Sequence, residues 1–173
     1  MKKIAVALGI LAGALTLACS TLSTDVDYDH TISFAKYHTF MLKEGTPSPV
    51  TFTQKRIEDA VTSALTSKGW QATTSDPGVL VYTHVALSQQ KQWTATNMGG
   101  FGYRGWGGGM ATATETNIPI GTLIVDLVDA QTHEMIWRGI AKDQVKTSGD
   151  AAGRIQDAVN KLFEGFPPGS AGK

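Results

Sequence analysis

Residues 121–139 read GTLIVDLVDAQTHEMIWRG, and the fold is decided there. Leu123, Val125 and Leu127 alternate with Ile124, Asp126 and Val128, so both faces of the run carry bulk. That is the pattern of a strand central in its sheet. Residues 129–134 supply turn chemistry, and residues 135–141 return as a second β-type run around Trp137. Together they read as a hairpin. If the turn holds an odd number of residues, Asp126 faces Arg138 across it, and the two make a structural ion pair, because a buried charge needs a partner.

Working outward, residues 79–87 form a third strong strand, apolar enough on both faces to be central. His84 inside it reads as a hydrogen-bonded structural residue rather than a catalyst. After Ser88 the composition shifts. Residues 89–97 and 111–117 are rich in Thr, Ala and Gln and fit an outward continuation of the neighbouring strands as a ribbon. Between them, residues 97–110 read NMGGFGYRGWGGGM. Glycine loses the most entropy on ordering, so this tip is expected to be mobile. It is no phosphate cradle, because strand-like Thr/Ala sequence follows it where a helix should open. Two readings stand for it: a low-complexity insertion, or a partner-binding tip. In the second, Phe101, Tyr103, Arg104 and Trp106 meet an envelope protein or a glycan, since aromatics and Arg dominate interface energetics.

Two stretches carry helical periodicity. Ile57, Ala60, Val61, Ala64 and Leu65 share one face, Thr51 and Gln54 have capping-box spacing, and Gly69 suits a left-handed C-cap. Ile155, Ala158, Val159, Leu162 and Phe163 repeat the spacing, and Pro167-Pro168 closes that helix. The shared letters R-I-x-D-A-V at 56–61 and 154–159 fit either a strand-strand-helix duplication or convergent amphipathic patterning.

Asp25, Asp27 and Asp29 alternate with Val26 and Tyr28 ahead of His30. In a strand the three carboxylates share a face. They read as a solvated edge strand whose charge discourages edge-to-edge pairing. The alternative is a hard-metal site serving a small metal-dependent hydrolase, which needs further ligands converging from elsewhere. No other constellation stands out: there is no GxSxG elbow, no HExxH and no second cysteine. The expectation is therefore a non-enzymatic protein with no cofactor and no resident metal.

The N-terminus says where the chain goes. Lys2-Lys3 is a short positive n-region, and the apolar run from Ile4 to Ala18 is shorter than the ~20 residues a spanning helix needs. It ends at Leu15-Thr16-Leu17-Ala18-Cys19, which resembles a bacterial lipobox. Cys19 is the single cysteine of the chain, so no internal disulfide exists. Lipidation at Cys19 after removal of residues 1–18 is the favoured reading; the alternative is ordinary secretory cleavage after Ser20. The 173-residue length suits one domain, and the charge is balanced, with 15 basic and 15 acidic side chains, which argues against a nucleic-acid partner.

These residues resemble the bacterial lipoprotein domain catalogued as domain of unknown function 4136. The resemblance is carried by Asp27-Tyr28-Asp29, Phe34-x-x-Tyr37-x-Thr39-Phe40, Lys68-Gly69-Trp70 and Asp76-Pro77 leading into Val79-Leu80-Val81. It continues through residues 121–130 with Trp137-Arg138-Gly139, and Phe166-Pro167-Pro168 closes it. It implies an envelope lipoprotein with a compact mixed α/β domain, and no catalytic residue to carry over. In enterobacteria, Ser20 after the cysteine resembles the signal for the outer membrane.

The expected organisation is a signal peptide at 1–18, a tether at 19–24, one α+β domain at 25–168 and a disordered tail at 169–173. The domain is a mainly antiparallel sheet, with residues 79–87, 121–129 and 135–141 central and both helices packed on one face.

Overall fold

The structure is a computed structural model that describes residues 21–97, 111–146 and 149–168. The signal peptide, Cys19, the tip side chains Phe101, Tyr103, Arg104 and Trp106, and the tail lie outside the described residues. In chain order the elements are β1 (Ser23–Tyr28), β2 (Thr39–Lys43), α1 (Thr51–Ser67), β3 (Gln71–Ala72), β4 (Val79–Asn97), β5 (Ala111–Asp129), β6 (Met135–Gln144) and α2 (Ala151–Leu162). A single 3₁₀ turn, Phe34–Lys36, precedes β2.

The described strands form one six-stranded sheet in the order β1-β6-β5-β4-β2-β3. The pairs β1–β6, β6–β5 and β5–β4 are antiparallel; β2 runs parallel to both β4 and β3. The three apolar runs picked out in the sequence are interior strands. Both helices cover one face, because α1, α2 and the odd positions Val79, Val81, Val125, Leu127 and Trp137 share a single buried cluster. The aspartate-bearing β1 lies at a sheet edge.

The β5–β6 register puts Asp126 opposite Arg138 and Leu127 opposite Trp137, then shifts so that Val128 faces Met135. Ile136 is the extra residue of a bulge, which turns both Ile136 and Trp137 into the core. Trp137 stacks on Phe163 with centroids 4.9 Å apart. Its indole lies across Gly139, where an added Cβ would sit 2.4 Å from the ring. A side chain at 139 would push the indole off Phe163.

The helix ends differ from the sequence expectation in one place. Thr51 is already inside α1 and Val50 is the N-cap, with no side-chain cap bond. Gln54 instead accepts from the backbone N–H of Ser48 at 2.9 Å and donates to Thr83 at 3.1 Å, tying the helix start to β4. Gly69 closes α1 at φ +89, with Trp70 N–H reaching back to the Leu65 carbonyl, a Schellman arrangement. In α2, Asp150 caps the Gly153 N–H at 2.9 Å. The strand pairs ahead of the two helices do not correspond. β1 and β2 stand on opposite flanks of the sheet, whereas β5 and β6 form a hairpin, so the sheet carries no strand-strand-helix duplication.

Candidate functional site: a projecting ribbon beside an apolar cleft

β4 and β5 stay paired without a register shift from Val79↔Asp129 out to Asn97↔Ala111. β6 accompanies β5 only as far as Ile120, and β2 accompanies β4 only from Val79 to Tyr82. Residues beyond Ser88 and Ile120 are therefore a two-stranded ribbon projecting past the sheet. Its described side chains are mostly exposed, including Trp93 at 64%; at its base Leu87 is 61% exposed. Lys91 reaches Glu115 on the other strand at 2.7 Å. The ribbon leads into residues 98–110, where the four candidate binding side chains stand in the sequence.

At the ribbon's base lies a cleft of about 270 Å³ between the N-terminal turns of α1 and α2. Val50, Ile57, Val85, Leu87, Leu123 and Ile155 line it. Small residues open it: Gly121 and Ala141 on the sheet, Ala151 and Ala158 on α2. Ile155, expected on the buried face of α2, is half-buried in this wall. Asp143 and Arg154 pair at the rim, and the Thr21 hydroxyl donates to Asp143 there. The cleft was not read from the sequence. Its signal there is a scatter of small residues over three separate elements.

The buried charges act structurally. Arg138 Nε and Nη2 donate to the two oxygens of Asp126 at 2.6 and 2.7 Å. Asp126 in turn holds the Arg138 guanidinium above its ordinary pKa. His84 Nε2 stands 3.6 Å from Asp126, too long for a hydrogen bond. The Thr46 N–H donates to His84 Nδ1 at 3.0 Å, so Nδ1 is unprotonated and the ring clips residues 43–46 to β4. With both carboxylate oxygens held by Arg138, the group resembles a triad only in its residue types.

Asp129 is the second buried carboxylate. It accepts from Tyr37 Oη at 2.6 Å, from the N–H groups of Gln131 and Thr132 at 2.8 and 3.1 Å, and from Lys36 at 3.4 Å. The Tyr37 bond, above all, holds its carboxyl down to about 2. Around it the large aromatics among the residues that carry the family resemblance pack into the core, joined by Phe163. Phe34, Tyr37, Trp70, Trp137, Phe163 and Phe166 form a chain of edge, tilted and stacked ring contacts. These motif aromatics build the core.

The Asp25/Asp27/Asp29/His30 stretch does not converge. Asp25 and Asp27 are exposed on β1, Asp29 Oδ1 is taken by the Thr31 N–H and hydroxyl, and His30 lies against the Tyr28 ring at 4.2 Å. The Thr31 bonds hold the Asp29 carboxyl below its usual range. Among the described residues, no three His, Cys, Asp or Glu side chains are placed to hold a metal ion.

Comparison with known proteins adds the family and the fold. The sequence profile described as "Domain of unknown function (DUF4136)" matches residues 24–168. No curated protein matches the chain in sequence. Among solved structures, a PDZ domain protein from Parabacteroides distasonis superposes with a TM-score of 0.56 at 14% identity, over 89% of this chain and 37% of that one. The chain thus spans about a third of that protein. The PelC dodecamer from Paraburkholderia phytofirmans gives a TM-score of 0.52 at 8% identity, over 82% of this chain and 94% of that one. Lipoprotein GNA1162 from Neisseria meningitidis gives 0.42 at 9% identity, over 73% and 98%.

Proposed function

Since the chain belongs to the DUF4136 family, whose domain has no known function, we propose a role built on placement and binding rather than on a reaction. The protein is a lipid-anchored lipoprotein of the cell envelope, sorted to the outer membrane and facing the periplasm. It works there as a binding or scaffolding module. The lipobox-like residues ending at Cys19 support the anchor. The observation that carries the binding role is the projecting ribbon. Nine residues of each strand leave the sheet and lead into a segment with three aromatics and an arginine. A two-stranded ribbon is marginal by itself in water, so extending one is a cost that contact with a partner offsets.

The two halves of the reading are tested separately. Cys19→Ala should abolish the size shift from precursor to mature form and release the protein from the membrane fraction. Unchanged processing and retention would overturn the anchor. For the binding role, a photo-reactive amino acid at Tyr103 in the intact envelope should capture one discrete protein or glycan. Diffuse labelling, with no loss of fitness when residues 98–110 are replaced, would overturn it.

A further inference from the structure

Among the described residues, the ribbon has an edge that its own fold leaves open. Val85 N–H points away from β5 and donates to the Thr46 carbonyl at 2.9 Å. Main-chain direction alternates along a strand, and the β4–β5 register runs without a shift. The N–H and C=O groups of residues 87, 89, 91, 93 and 95 therefore face outward on that same side. The last β2 partner on that side is at Tyr82, and the contact from Thr46 ends the cover at Val85. The usual guards of such an edge are charge and proline. Residues 87–97 contain no proline, and their one charged side chain, Lys91, is neutralised by Glu115. The β5 edge differs, since Pro119 stands at its base and Val145 N–H occupies the Pro119 carbonyl.

We propose that two copies of this chain pair edge to edge through residues 87–93 of β4, antiparallel about a two-fold axis at Gln90. The register follows from the side chains. Leu87 and Trp93 are the two large apolar residues exposed along this stretch, and they lie on one face, equally far from Gln90. An axis at Gln90 sets Leu87 of each copy directly opposite Trp93 of the other, covering both, and sets Lys91 opposite Gln89. An axis at Lys91 would oppose two like charges. An axis at Gln92 would leave Leu87 without an apolar partner. The chosen register forms about eight main-chain bonds in four closely paired positions. It also turns two marginal ribbons into one four-stranded sheet; residues 43–46 of each copy already fill the edge from Tyr82 to Val85, so the pairing ends there and each ribbon must twist away from its partner beyond Thr94. A seam this short lies at the small end of specific interfaces, about 1,200 Å² or less in total, so the dimer dissociates on dilution. The pairing depends neither on the lipid anchor nor on what the tip contacts.

The test uses the full chain with Cys19→Ser, so that an introduced cysteine is the sole thiol. Under mild oxidation Gln90→Cys should give a disulfide-linked dimer. Gln92→Cys should not, because its two copies would stand roughly 13 Å apart along the seam. Equal cross-linking at both positions, or none at Gln90→Cys, overturns the register. In sedimentation, wild-type chain should show a dimer fraction rising with concentration. Trp93→Gln should weaken that dimer about tenfold or more, as loss of an interface anchor does, with an unchanged melting curve. A wild-type chain monomeric at every concentration, or a dimer indifferent to Trp93→Gln, overturns the proposal.

Discussion

The Tyr37 hydroxyl and the Asp129 carboxylate meet inside the protein, and removing either exposes what they do. Tyr37→Phe deletes a bond to a buried charge and should cost about 1.5–3 kcal/mol in urea melts. Asp129, with its carboxyl held down to about 2, contributes stability that is fully present above its unfolded value near 3.8 and fades as pH falls towards 2. Melts across that window should show wild type losing its advantage over Asp129→Asn as the acid is added. Asp126 and Arg138 make an asymmetric pair, with side chains 6% and 41% exposed. Arg138→Ala strands a buried carboxylate and should cost about 3–5 kcal/mol; Asp126→Ala should cost less, because the guanidinium can turn to water. How far these roles are legible in sequence varies. Asp126 shows as a charge inside an apolar run, but its facing Arg138 depends on turn parity. Six residues separate Val128 from Met135, and the bulged Ile136 makes the count odd between Asp126 and Arg138. No residue in the turn announces that bulge. Asp129 reads as ordinary turn chemistry, because Tyr37 lies 92 residues away in sequence.

At the scale of elements, periodicity was a good guide wherever burial was complete. The hairpin, strand β4 and both helices were readable because apolar side chains repeat at the spacing of the face that packs. Where burial is partial, the reading overshoots. Ile57 is 3% exposed, so Ile57→Ala should cost about 2–5 kcal/mol. Ile155 has the same periodic position in α2 but forms a wall of the cleft, so Ile155→Ala should cost under about 2 kcal/mol. Denaturant melts of the two variants compare them directly, and equal losses would mean that the cleft closes over Ile155 in solution. The parallel pairing of β2 with β4 was not legible. It depends on α1 carrying the chain back over the sheet, and the five residues of β2 do not encode their neighbour.

For the whole molecule, core and ribbon divide the labour. The cluster that holds the fold together contains nothing beyond Ala141 on the hairpin side and nothing beyond Val85 on β4. Replacing residues 98–110 by a Gly/Ser linker should thus change stability by no more than about 0.5 kcal/mol, as thermal or urea melts would show. One feature of the sheet order constrains the posture that the proposed anchor would allow. Ser23 pairs with Lys142, which sits opposite Thr122, which sits opposite Ala86. The chain therefore enters β1 from the end of the sheet where the ribbon leaves. Residues 19–22 can span at most about 14 Å, while the eleven residues beyond Ala86, out to Asn97, reach roughly 36 Å in the same direction. A domain held at Cys19 as proposed could not stand upright with its ribbon along the bilayer normal unless the ribbon were driven into the lipid, where its exposed polar side chains, Lys91 among them, would lose their water. Under the proposed anchor the domain reclines. The arm would then lie along the plane of the headgroups, and the proposed partner would stand beside the protein in that plane rather than across the periplasm.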